Sequence, residues 1–147
     1  MDKRLKNIRI SFPEGWSDIS SQNPDGPPTF IHGRLEEPGV LQISIAQYVS
    51  GKKPNPDFTD LISLSEKIGL KNNFGQITHK VADNCKYGKY GKVEFAGSAF
   101  PYIAVWHLSN GKDFIFATFI CSKIPVESEK NDVESILLSI RPKRFIF

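Results

Sequence analysis

Residues 92–121 confine the fold more tightly than any other part of the chain. Two runs within it, Tyr102–Leu108 and Phe114–Ile120, are apolar on both of their alternating faces, and Asn110-Gly111 lies between them. Asn-Gly between two such runs is a strong hairpin signal, because both residues take the left-handed backbone that a two-residue turn requires. That turn would set Ser109 against Lys112, Trp106 against Ile115 and Ala104 against Ala117. One face would then carry Tyr102, Ala104, Trp106, Ile115, Ala117 and Phe119, and the other Ile103, Val105, Phe114, Phe116 and Ile120. A strand with one wet face alternates apolar and polar residues, so these two strands belong between covering layers.

The remaining segments supply the partners. Ile8, Ile10 and Phe12 alternate with polar residues until Pro13-Glu14-Gly15 stops the strand, and Trp16–Ile19 can begin another. Residues 21–28, SQNPDGPP, are turn chemistry; Phe30–Arg34 reads as a short strand, and Leu41, Ile43 and Ile45 mark a longer one to about Val49. SGKKPNP breaks the pattern before a helix that Asn55 or Asp57 can cap. Its apolar face is Phe58, Leu61, Ile62 and Ile68, with Leu64 at the edge and Gly69 as its stop. Residues 76–83 are strand-like. A second helix over 127–140 has acidic residues in its first turn and a stripe of Val133, Ile136, Leu137 and Ile140. The order predicts an α+β fold, a mostly antiparallel sheet flanked by two main helices. At 147 residues the chain fits one domain, 1–147, with basic tails at about 1–7 and 142–147.

Charge narrows the partners. The net charge is +3, but residues 1–9 and 141–147 each carry +3, so the body from 10 to 140 is net −3. A grip on a phosphate backbone concentrates positive charge on the folded face, and this distribution does the opposite. Cys85 and Cys121 form no CxxC or His/Cys spacing, which argues against zinc and against a disulfide framework; a single bridge between them stays open, with reduced thiols the expectation. The N-terminal residues lack the apolar run of a signal peptide, and no 18-residue apolar stretch occurs, so a soluble cytoplasmic protein is expected.

The most motif-like stretch is CKYGKYGKVEF, residues 85–95. Gly88-Lys89-Tyr90-Gly91 spells the GxxG of a KH-domain clamp, but that loop joins two helices and this one precedes a strand. Against the ribonucleoprotein strand of an RRM, Tyr90, Gly91, Val93 and Phe95 match while Gly88, Lys89 and Lys92 miss. Lys92 stands where a base-stacking aromatic is needed. A phosphate loop fails at Lys86 and Val93. Cys85 lies near Lys80, Lys86 and Lys89, whose charge can lower a thiol pKa, yet no base accompanies it. His32, His79 and His107 show no paired-ligand spacing, and no GxSxG elbow exists.

Phe12-Pro13-Glu14-Gly15-Trp16 after the first strand, Leu41-Gln42-Ile43-Ser44-Ile45, the pair around Trp106-His107-Leu108-Ser109-Asn110-Gly111, and Val133 to Ser139-Ile140 follow in an order that resembles the PsbP-like superfamily. That group of small α/β/α sandwich domains includes an oxygen-evolving photosystem subunit, a Ran-binding nuclear import factor, and DcrB-like and secretion-adaptor proteins. The resemblance spans nearly the whole chain, contains no catalytic signature and implies a non-catalytic domain that binds another protein more than an enzyme; the residues themselves lead to no expected cofactor or metal. Adaptor, secretion chaperone and toxin-neutralising immunity protein are the roles it implies. The expected contact residues are Trp16, Tyr48, Tyr87, Lys89, Tyr90 and Lys92, the last four in an exposed Tyr/Lys loop. Two alternatives of other classes remain: an enzyme with a dispersed site near His107 or Cys85, and a weak nucleic-acid binder using Lys86, Lys89, Tyr90 and Lys92.

Overall fold

The computed structural model describes residues 1–47 and 55–143. Among them the order is β1 (Asp2–Leu5), β2 (Ile8–Ser11), β3 (Trp16–Asp18), β4 (Thr29–His32), β5 (Val40–Gln47), α1 (Phe58–Lys71), β6 (Gln76–Asn84), β7 (Lys89–Ala96), β8 (Tyr102–Ser109), β9 (Asp113–Cys121), α2 (Glu127–Leu138) and β10 (Arg141–Pro142). Seven strands form one sheet in the order β3-β4-β5-β9-β8-β7-β6, every neighbour antiparallel. A second, three-stranded sheet runs β1-β2-β10. The α+β architecture expected from the sequence is the one observed.

The long hairpin is paired two residues away from the predicted register: Trp106 faces Ala117 and Leu108 faces Ile115, with Ser109 against Phe114. Asn110 causes the difference. Its Oδ1 accepts the backbone N–H groups of Lys112 at 2.9 Å and Asp113 at 2.7 Å, which widens the connection beyond a two-residue turn. Because side chains alternate with period two, a shift by two leaves every residue on its predicted face. Tyr102, Ala104, Trp106, Leu108, Ile115, Ala117 and Phe119 therefore join one core with Ile8, Ile10, Phe30, Leu41, Ile43 and the α2 residues Val133, Ile136 and Leu137. Val93, Phe95, Ile103 and Val105 form the other, against α1.

Both helices differ in detail from expectation. Asp57 caps α1 through a reciprocal pair with Asp60, each side chain accepting the other's backbone N–H. Gly69 does not stop α1; it lies inside the helix, where a Cβ would stand 2.2 Å from the Phe95 ring. Leu61, Ser65 and Gly69, four apart, are the residues α1 presses on the sheet. Helix α2 stops at Leu138, two residues earlier than predicted, and Ser139 Oγ accepts the N–H of Ser11 at 2.9 Å.

The N-terminal residues expected as a tail are β1. A tight turn at Lys6-Asn7 sets Leu5 against Ile8, and the Lys3 ammonium lies 2.7 Å from Asp18. Burial tends to raise Asp18, but hydrogen bonds from Lys3 and Ser20 outweigh it and hold the carboxyl at about 2. The expected basic tail at the other end begins at β10 and otherwise lies largely outside the described residues.

Candidate functional site

The stretch CKYGKYGKVEF is a tight turn followed by an interior strand. Cys85 and Gly88 exchange both backbone hydrogen bonds, at 2.9 and 3.1 Å, and β7 starts at Lys89 between β6 and β8. Tyr87, Tyr90 and Lys92 are all buried, which corrects the expected exposed loop. The physical reason is that β7 has a neighbour on each edge and a helix over each face. Gly91, Val93 and Phe95 turn toward α1; Tyr90, Lys92 and Glu94 turn toward α2. Among the described contact candidates Lys89 alone is not buried but half-buried, its ammonium 5.2 Å from the centre of the Phe58 ring. It flanks a shallow cleft of about 170 Å³ with Asn55, Asn84 and Asn110. Trp16 is buried too, packed by Phe12 and donating from Nε1 to Asp132 at 3.0 Å. Tyr48 lies outside the described residues.

Beneath α2 the polar residues of β7 form a charge ladder. Lys92 Nζ is 3.8 Å from Glu94 and 4.0 Å from Glu134, and Lys130 Nζ is 3.8 Å from the other oxygen of Glu94. The two ammonium groups lie over aromatic faces, Lys92 5.0 Å from the Trp106 ring and Lys130 5.1 Å from that of Tyr102. Burial, and then the adjacent Glu94 carboxylate, push the Tyr102 phenol far up. Buried ions of this kind must be paired, and the ladder ties α2 to β7. It offers no stacking platform for bases, because Tyr90 lies against Trp106 inside the protein.

Of the expected catalytic candidates, His107 is buried and Cys85 half-buried. His107 Nδ1 is 2.7 Å from Ser65 Oγ, the distance of a nucleophile and its base. Ser65, however, has no exposed surface, so no substrate reaches its oxygen. Burial lowers the His107 imidazole to about 4, leaving it neutral at pH 7. Burial raises the Cys85 thiol despite two backbone hydrogen bonds, the opposite of an activated nucleophile. Cys121 is pushed up to about 12 by burial and then by Glu129. Both thiols are free. Among the described residues no three His, Cys, Asp or Glu side chains converge on a metal position.

What the surface does present is apolar and lies at the far end of the sheet from Lys89. Helix α1 makes its main contacts with β6, β7 and β8. The same sheet face continues past those contacts over β9 and β5. There Pro38, Val40, Gln42, Phe100, Ile120 and Ser122 line a cleft of about 300 Å³. Val40 is 36% and Phe100 40% exposed, while Ile120 at the cleft's base packs against the α1-side core. Gly39 donates its N–H to the buried Glu129 carboxylate at 2.8 Å. That bond brings the start of α2, and with it exposed Ile124 and Val126, to this end. Sequence reading missed the site. The available signal was Phe100, a large aromatic beside Pro101 in a loop between strands.

No family model matches the chain, and no curated protein matches it. Solved structures do. The solution structure of cyanobacterial PsbP (CyanoP) from Synechocystis superposes with a TM-score of 0.64 at 13% identity, covering 97% of this chain and 91% of that one. A crystal structure from Bacteroides thetaiotaomicron superposes with a TM-score of 0.53 at 15% identity over 93% of this chain. This chain spans 45% of that protein's length. At such identities the likeness speaks for architecture alone, and the architecture of this chain is a PsbP-like fold.

Proposed function

We propose that the protein is a non-catalytic protein-binding domain whose partner seats on the apolar end of the sheet. The observation that supports this is the exposure of Val40 and Phe100 around the 300 Å³ cleft, where core-like surface continues past the reach of α1. Aromatic and aliphatic residues gathered in a concave patch are the usual anchors of a protein interface. Burial of Ser65, His107, Tyr90 and Lys92 supports the same reading by withdrawing the groups that catalysis or base stacking would use. Adaptor, secretion chaperone and immunity protein all suit such a surface, and the two free thiols suit the reducing cytoplasm.

The test is affinity capture from the native host with wild type, Val40→Asp/Phe100→Asp, and Lys89→Glu, followed by titration of the captured protein. Val40→Asp/Phe100→Asp weakens binding by about thirtyfold or more, as loss of a central anchor does. Lys89→Glu, at the other end of β7, leaves it within about threefold. Equal binding by wild type and Val40→Asp/Phe100→Asp overturns the proposal. So does capture of nothing that depends on these two residues.

A further inference from the structure

The seven-stranded sheet ends in two unlike edges. β3, at one end, has three residues. β6, at the other, has nine, and seven of them are exposed, with Val81 and Ala82 half-buried. Its partner β7 takes up one row of backbone groups; among the described residues the other row meets no strand. A long open edge is a template for another strand.

We infer that two copies of this chain join edge to edge through β6, antiparallel about a two-fold axis at Val81. The sequence of the strand carries the choice of occupant. A two-fold axis normal to a sheet keeps each side chain on its own face, so paired residues must be separated by an even number. The irregularity in the β6–β7 ladder lies between Ile77 and His79, which leaves His79–Asn84 as the regular segment available for pairing. Within it, a centre at Lys80 opposes Lys80 to Lys80 of the second copy, a like-charge contact. A centre at Ala82 sets the Asp83 carboxylate against Val81. A centre at Val81 matches the strand to itself: Val81 meets Val81, Lys80 meets Ala82, and His79 meets Asp83 on both sides of the axis.

Edge lysines and bulges are devices that discourage strand pairing, and β6 has both. Neither blocks this register. The Lys80 ammonium has Glu66 of its own α1 at 4.0 Å, and it faces alanine across the axis. The bulge falls just outside the five matched positions, where it ends the pairing instead of preventing it. One Asp83 oxygen accepts the Asn84 N–H at 2.7 Å, leaving the other for His79 of the second copy.

Directly opposed residues of an antiparallel pair have Cα atoms about 4.5–5.5 Å apart, within the span a disulfide bridges. In a Cys85→Ser background, Val81→Cys is therefore expected to form a covalent dimer on mild oxidation. Ala82→Cys is not, since in this register the two Ala82 Cα atoms are about 8 Å apart. Sedimentation equilibrium gives the strength. Asp83→Lys raises the dimer dissociation constant about tenfold, and His79→Asp/Asp83→Lys returns it to within about threefold of wild type. Cross-linking at Ala82 in place of Val81 overturns the register. Wild type that remains monomeric to about 1 mM, with no Val81→Cys cross-link, overturns the dimer.

Discussion

His107 ties the stability of this protein to pH in a window that no paired carboxylate described above covers. Its imidazole is packed between Ser65 of α1 and Phe116 of β9, the latter ring centred 5.0 Å away, and burial lowers it from 6.5 to about 4. Between those values the unfolded chain binds a proton that the folded chain refuses, so stability rises with pH and is lost as pH falls. The full displacement corresponds to about 3 kcal/mol, of which about 2 kcal/mol is gone by pH 5. For a domain of this size that lowers the melting temperature by about 4–8 °C. Asp18 behaves differently. Its folded value of about 2 lies below the unfolded 3.8, so its contribution is intact above that range and lost only in stronger acid.

The assay is urea unfolding at several pH values between 7.5 and 4.5, run on wild type and on Ser65→Ala/His107→Phe. Replacing both members of the buried pair removes the titration without stranding a polar partner. Wild type is expected to lose about 2 kcal/mol from pH 7.5 to 5, and the double variant well under half of that. A proton-resonance titration of His107 with a midpoint near 4 completes the case. Parallel curves for the two proteins, or a midpoint near the ordinary 6.5, refute the argument that burial governs this imidazole.

Three further substitutions test other contacts. Gly91→Ala is expected to cost about 2–3 kcal/mol by denaturant unfolding, because its Cβ would meet backbone atoms of Leu61 and Ile62 at 2.8–2.9 Å and α1 would have to lift. Lys92→Met should cost about 1–3 kcal/mol by thermal unfolding, since it leaves the buried Glu94 carboxylate with Lys130 as its remaining cation, whereas Glu134→Gln, whose side chain is 42% exposed, should cost under about 1 kcal/mol. Trp16→Phe deprives Asp132 of its Nε1–H bond and should cost about 1–2 kcal/mol; an unchanged midpoint would show that bond to be immaterial.

Which parts of this fold were legible in the sequence follows from what each inference depends on. The faces of β8 and β9 were legible because alternation is local and survives a register error of two; the turn was not, because it depends on where one Asn110 oxygen points. The site was less legible for a different reason. Lys92 looked like a surface residue because Glu134, which neutralises it, and Lys130, which pairs its neighbour Glu94, arrive on a helix about forty residues later. The cleft at Val40 and Phe100 depends on α1 seating mainly on β6, β7 and β8, a matter of helix placement that no periodicity encodes. One local clue to the ladder did exist. Lys92 and Glu94 are opposite charges two apart on a strand, hence side by side on one face, while Gly91, Val93 and Phe95 make the other face wholly apolar. A strand that carries its own counter-charge on its polar face can be covered on both sides, whereas unmatched charges there would need water. The pairing at Lys92 and Glu94 therefore marks β7 as an interior strand, and the same reasoning marks β6, whose Lys80 finds its counter-charge only on α1, as an edge.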